Sequence, residues 1–250
     1  MTTRGNTTIA TLGLAALLCG APAAAAEIRV AVATNFTAAM AALVERFEAH
    51  GAHEVLVSFG STGNHYAQIK NGAPFDAFFS ADVERPRLLE QEGVAVAGSR
   101  FLYAVGRLAL WSSRVGYVDG DGRVLETGDF RHLAIANPEL APYGAAARDV
   151  LTARGVWDSV QPRLVRGQDI GQAYSFVATG NAELGFVAYA QIKKPDGKAT
   201  GSYWLVPESL HQPIEQQAVL LRDTPAARAF LEFVQSEEAR AIIRDYGYGP

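Results

Sequence analysis

The chain has 250 residues, with 26 acidic against 22 basic side chains, a net charge of −4 and 49% hydrophobic residues. An acidic balance of that kind argues against a nucleic acid or an anionic lipid surface as the main partner, since neither is attracted to it. The single cysteine, Cys19, excludes an intramolecular disulfide framework.

Residues 1–26 read as a signal peptide: Arg4 is the only charge, residues 9–18 are apolar, and Ala24-Ala25-Ala26 precedes Glu27. The apolar segment is too short to span a bilayer. Leu18 before Cys19 is bulky for lipoprotein processing, so cleavage after Ala26 is expected rather than lipidation. The mature chain would then enter the periplasm without a cysteine and rely on its core alone.

Residues 28–34 are apolar almost throughout, as a parallel strand covered on both faces requires. They end at Thr34-Asn35-Phe36-Thr37, after which Met40, Leu43, Val44 and Phe47 recur at helical spacing up to Gly51. Asn35 or Thr37 is a natural N-cap there, and either can also meet a ligand. Residues 55–59 form a second buried strand, closed by Gly60-Ser61-Thr62-Gly63 and followed by a helix carrying Tyr66, Ile69 and Lys70. A helix start offers unpaired N–H groups and the positive end of the macrodipole. Small residues let an anion approach those groups, and Ser61 and Thr62 add hydroxyl donors. The same four residues would equally make a plain capped turn.

Residues 75–80 form a third strand, with Asp76 a structural carboxylate and Asp82 the N-cap of a helix through Leu88 and Leu89. Three strand–helix units in succession predict a parallel sheet with right-handed crossovers. Ligands bind beyond the carboxyl ends of such strands, where Thr34-Asn35 and Ser61-Thr62 become neighbours. The run 101–111 is twice the usual strand length and breaks at Gly106, as a strand passing between two lobes would. Residues 117–123 have hairpin chemistry and lack the carboxylate ladder of a calcium loop.

A second set of units follows. Strand 133–136 leads through Pro138 and Pro142 to Tyr143 at the entrance of helix 145–153. Strand 163–166 leads through Gly167-Gln168-Asp169-Ile170-Gly171 into helix 172–178, and a further strand covers 184–189. The basic loop 193–198 reads as solvated surface. Residues 214–221 form a second crossing strand, and helices at 226–235 and 237–246 return to the first lobe. The expected fold is α/β, each lobe a mostly parallel sheet flanked by helices and the two joined by crossing strands. Lobe 1 would hold 27–107 and 212–250, and lobe 2 would hold 108–211.

Taken in order, several motifs resemble the periplasmic molybdate-binding proteins of ABC transporters. They are Ala31-Val32-Ala33-Thr34-Asn35-Phe36, Ser58-Phe59-Gly60-Ser61-Thr62-Gly63, Tyr66-Ala67-Gln68-Ile69, Gly72-Ala73-Pro74-Phe75-Asp76, Phe79-Ser80-Ala81-Asp82, Asn137-Pro138 with Pro142-Tyr143-Gly144, and Gly185-Phe186-Val187. The resemblance implies a type II-like periplasmic binding protein that closes on molybdate or tungstate and passes it to a membrane ABC permease. It implies a monomer with no cofactor and no catalytic residue, the oxyanion being cargo held through its oxygens without a metal–side-chain bond. Carried over position by position, the contacts would be Thr34, Asn35, Ser61, Thr62, Tyr143 and the backbone N–H of Ile170. Two positions depart from the best-known branch: Asn35 stands where serine is common, and Ala188 where a tyrosine supplies a hydroxyl. Tyr143 would replace that hydroxyl from another direction, an Asn-plus-Tyr pattern found in a related branch.

Besides a pure interaction domain, disfavoured because two lobes facing a cleft need a cargo, two rival readings differ in what they predict. One keeps the fold and carries sulfate or another tetrahedral oxyanion. The other is a secreted hydrolase with Ser61 as nucleophile, disfavoured because no Gly-x-Ser-x-Gly elbow and no His-Glu-x-x-His helix is present. His65 beside the loop is expected on the helix surface.

Overall fold

The computed structural model describes residues 1–2, 26–51, 53–193 and 197–249; the expected leader and Cys19 lie outside them, save Met1, Thr2 and Ala26. The first elements are β1 (Glu27–Ala33), a 3-10 turn (Thr34–Phe36), α1 (Thr37–His50), β2 (Glu54–Gly60), α2 (Thr62–Lys70), β3 (Ala77–Phe79) and α3 (Glu84–Gln91). Next come β4 (Phe101–Gly106), β5 (Leu108–Ser112), α4 (Val124–Thr127), β6 (Leu133–Ala136), α5 (Pro142–Ala153) and α6 (Trp157–Val160). The chain continues through β7 (Leu164–Gly167), α7 (Ile170–Ala178), β8 (Leu184–Ala188), α8 (Tyr189–Ile192) and β9 (Ser202–Leu205). It ends with β10 (Ile214–Leu220), α9 (Pro225–Val234) and α10 (Glu237–Asp245).

Among the described residues the strands form two five-stranded sheets, in the orders β2-β1-β3-β10-β4 and β7-β6-β8-β5-β9. In each sheet three parallel strands are extended by two that pair antiparallel with their neighbours. Both faces are covered, which is why the central strands read as unbroken apolar runs. Val30 and Val32 of β1 pack with Met40, Leu43 and Phe230, whereas Ala31 packs on the other face with Phe78, Ile69 and Leu89. The second sheet does the same, with Leu108 and Phe186 on one side and Trp111 and Val177 on the other.

The sheets are joined at Arg107, where β4 ends in one and β5 begins in the other. The return runs through 206–213, so β10 lies wholly in the first sheet. Residues 117–123 make no strand hairpin. Asp119 Oδ1 instead accepts the N–H groups of Asp121 (3.2 Å) and Arg123 (3.0 Å), folding the loop into the short α4. Strand β9 gave no sequence signal: Ser202–Leu205 is four residues long and, among the described residues, pairs only with β5. Asp76 is structural as expected, buried and accepting the Arg29 N–H at 2.7 Å while Arg222 lies 3.4 Å away. Among the described residues no helix is long and apolar enough to cross a membrane.

Candidate functional site

Register places the loops that matter. Ala33 pairs with Gly60 at the ends of β1 and β2, so the 3-10 turn and the start of α2 leave the first sheet side by side. Ala136 pairs with Gly167 in the second sheet, and the loops beyond them run to the starts of α5 and α7. The two pairs of loops meet. The Gly63 N–H donates to Leu140 O at 2.8 Å, the Gly171 N–H donates to Thr34 Oγ1 at 3.2 Å, and Thr34 Oγ1 donates to Asp169 Oδ1 at 3.1 Å. A Cβ at Gly63 would lie 3.0 Å from Leu140 O, so this approach of the lobes needs a residue without a side chain.

Ser61, Thr62 and Tyr143 are all buried. Each hydroxyl oxygen already accepts a protein N–H: Ser61 Oγ from Asn64 N (3.3 Å), Thr62 Oγ1 from Ala81 N (3.0 Å), and Tyr143 Oη from Gln216 Nε2 (3.4 Å). Among the described residues none of the three donates its own proton to a protein acceptor, so each keeps an O–H to give. Ser61 is at once the N-cap of α2, so the cap and ligand readings describe one geometry. Tyr143 sits at the second position of α5, whose first residue is Pro142. Burial pushes its phenol well above the ordinary value, against the neighbouring Gln216 and Asn35 side chains, which pull it down, so it stays protonated.

Thr34 and Asn35 are committed differently. The Thr34 hydroxyl is taken up by Asp169 and Gly171 across the lobe boundary. The Asn35 amide donates to Gln216 Oε1 (2.7 Å) and Tyr248 Oη (3.2 Å), while Tyr248 donates back to Asn35 O (2.7 Å). Asn35 Oδ1 is buried and has no hydrogen-bond partner among the described residues. At α7, Asp169 caps the Gln172 N–H (2.9 Å) and Thr34 takes that of Gly171. Among the described residues no protein acceptor takes the Ile170 N–H.

Four residues of this network carried no signal as functional side chains: Tyr103, Asp169, Gln216 and Tyr248. Gln216 was legible in principle, as a polar side chain on the inward alternation of Ile214, Gln216 and Ala218. His65 is corrected: it is buried, not on the helix surface, because α2 turns its ring onto Phe75 (5.8 Å) and Phe78 (6.2 Å). Burial lowers its pKa, offset in part by Gln68. Among the described residues no cluster of three or more His, Cys, Asp or Glu could hold a metal ion.

Two sheet lobes whose helix starts and hydroxyls converge on a shared boundary define a solute-binding architecture. The family model of bacterial extracellular solute-binding proteins matches residues 28–249. The chain is 52% identical over 245 residues to the molybdate-binding protein ModA of Azotobacter vinelandii, covering 96% of each. It is 50% identical over 230 residues to ModA of Rhodobacter capsulatus, covering 91% of this chain and 90% of that one. A solved Azotobacter vinelandii periplasmic molybdate-binding protein superposes with a TM-score of 0.87 and 44% identity, over 89% of this chain and 99% of that one. The chain belongs to the bacterial extracellular solute-binding proteins and, within them, to the group of these ModA relatives. That family is one of transport proteins rather than enzymes, which removes the Ser61 hydrolase reading.

Proposed function

We propose that this chain is the extracytoplasmic molybdate-binding protein of an ABC transporter, which also takes tungstate and delivers its cargo to a membrane permease. The oxyanion is held between lobe 1 (27–107 and 212–250) and lobe 2 (108–211). Its contacts are Thr34, Asn35, Ser61, Thr62, Tyr143 and the Ile170 N–H. The protein works as a monomer in the periplasm after its leader is removed, and carries no cofactor. The observation that carries the reading is the set of three buried hydroxyls, each with its acceptor side filled by a protein N–H and its proton uncommitted. The relatives' names supply the identity of the anion.

With their acceptor sides filled, the three hydroxyls of such a site can only donate. Each hydrogen bond to a charged group contributes about 1.5–3 kcal/mol. Each helix start adds about 0.3–1 kcal/mol. A handful reaches the roughly −8 kcal/mol of micromolar binding and beyond, after ordering and desolvation. A fully deprotonated dianion suits these donors, whereas hydrogen phosphate would bring a proton that none of the three hydroxyls can take. Sulfate, equally charged but smaller, is rejected by the size of the closed cleft.

Thermal melting with molybdate, tungstate, sulfate and phosphate tests this. A ligand at 100 times its Kd adds about 2.7 kcal/mol, or about 2–4 °C per kcal/mol for a chain of this size. Shifts with molybdate and tungstate alone are expected; an equal shift with sulfate would make this a general oxyanion carrier. In Tyr143→Phe, calorimetry should find molybdate binding about 10–100-fold weaker, the loss of one donor to a charged group. Unchanged affinity in that variant would remove Tyr143 from the site.

A further inference from the structure

Gln216 is fully buried in β10, where the pairing with β4 slips: Gln216 faces Ala104 and Gln217 faces Leu102, leaving Tyr103 as the extra residue of a bulge. The bulge turns Tyr103 towards the Gln216 side chain. Tyr103 Oη lies within donating distance of Gln216 Oε1 (3.0 Å) and Ser80 O (3.1 Å), and Asn35 Nδ2 donates to the same Oε1 at 2.7 Å. The Asn35 N–H on Oε1, with the single Tyr103 O–H shared between Oε1 and Ser80 O, fixes which end of the amide is oxygen. The other end, Nε2, therefore points at Tyr143 Oη, 3.4 Å away in the opposite lobe. Gly106 makes the room: a Cβ there would overlap the Tyr143 hydroxyl and lie 2.8 Å from Gln216 Nε2.

From this geometry we infer that Gln216 is a positioning residue that sets the polarity of the Tyr143 hydroxyl. The inference rests on the oxyanion reading given under Proposed function. An amide N–H directed at Tyr143 Oη fills its acceptor side, so the phenol proton turns away from Gln216 and is free for the cargo, which as a dianion is a stronger acceptor than the neutral Asn35 Oδ1. Polarity then runs one way, from Tyr103 and Asn35 to Gln216, from Gln216 to Tyr143, and from Tyr143 to the anion. Tyr143 accepts no proton from the cargo, which makes Gln216 a determinant of the preference for fully deprotonated oxyanions. Because Gln216 and Tyr143 belong to different lobes, the hydroxyl acquires this polarity only as the lobes come together.

The test is calorimetric titration of the full mature protein with molybdate across about pH 5.5 to 8.5, in wild type, Gln216→Glu, Gln216→Met, Tyr143→Phe and the last two combined. Wild-type affinity should be flat over this range. In Gln216→Glu the protonated carboxyl donates to Tyr143 as the amide did, and the carboxylate takes the Tyr143 proton instead. Affinity should therefore start near wild type at the acid end and fall by about 100-fold or more as the carboxyl ionises, its pKa raised by burial. The new carboxylate would also repel a dianion as it ionises, so the charge-free Gln216→Met and Tyr143→Phe pair separates hydroxyl polarity from repulsion. Gln216→Met, similar in shape and unable to donate, should discriminate less against hydrogen phosphate. Added to Tyr143→Phe it should cost little further affinity, since the two act as a unit.

A flat pH profile in Gln216→Glu, or additive losses in the combined variant, would overturn the inference and leave the oxyanion reading standing. A wild-type protein that bound no oxyanion would overturn both. If Gln216→Glu failed to fold, the combined Met and Phe variants alone would decide, through additivity.

Discussion

One oxygen serves two purposes at Ser61, Thr62 and Tyr143, accepting from the protein on one side and keeping a proton to give on the other. A hydroxyl can do this and a carboxylate cannot. His65 shows the complementary constraint directly beneath the α2 entrance. Its ring is buried against Phe75 and Phe78, with Nδ1 3.2 Å from Gln68 Oε1 and Nε2 without a protein partner. Burial, the largest influence, holds its pKa below the ordinary value, opposed by Gln68 and more weakly by the Val32 backbone and Asp169. The folded protein thus binds fewer protons here than the unfolded chain between the two values. The stability that neutral His65 confers is complete above about pH 6.5 and is lost as pH falls through the depressed folded value. Melting temperatures on acidification should therefore drop more steeply in wild type than in His65→Gln, and parallel curves would show that His65 titrates as if exposed.

Helix starts, at the scale of the element, supply the site's remaining polarity, and α2 allows cap and ligand roles to be separated. Ser61 caps Asn64 at 3.3 Å. Glycine at an N-cap costs only a few tenths of a kcal/mol relative to serine. Ser61→Gly should therefore melt within about 2 °C of wild type. It should nevertheless bind molybdate about 10–100-fold more weakly, having lost a donor to a charged group. Unchanged affinity would leave Ser61 as a cap alone. This is also the scale at which the sequence was most legible. The β1, β6 and β8 runs and the amphipathic α1, α9 and α10 announced themselves through period and punctuation, because each packs an apolar face locally; β2 was legible as a strand but not as the buried one expected, since it lies at the sheet edge with Leu56 and Phe59 exposed. Gly60-Ser61-Thr62-Gly63 and Pro142-Tyr143-Gly144 marked the helix entrances for the same local reason. Loop 117–123 misled, because Asp119 folds its own backbone into an Asx turn that turn-forming composition alone does not distinguish from a hairpin. Gln216, Asp169 and Tyr248 stayed hidden because their partners lie 73, 135 and 213 residues away, at Tyr143, Thr34 and Asn35. No local pattern encodes such pairings.

For the whole molecule, the boundary between lobes is where fold and proposed function meet, and its contacts are not confined to the hydroxyl cluster. Arg85, at the start of α3, reaches across to Glu139 O at 3.1 Å while paired with Asp82 in its own lobe. It lines a cavity of about 320 Å³ shared by the two lobes, bounded on the far side by Pro138, Pro142 and Arg148. Arg85 is not among the proposed anion contacts, so its removal tests closure separately from ligation. A binding protein whose closed state is only fractionally populated has an apparent Kd equal to the intrinsic one divided by that fraction. Losing one charge-assisted hydrogen bond at the rim should shift the balance towards the open state by about 1 kcal/mol. Arg85→Met should therefore weaken molybdate binding about 3–10-fold, through faster dissociation with little change in association. Stopped-flow fluorescence can follow this, since Trp111, Trp157 and Trp204 all lie in the elements of the second sheet and its helices. An unchanged dissociation rate would mean that the hydroxyl cluster and the Thr34–Asp169 contact hold the lobes together without the rim.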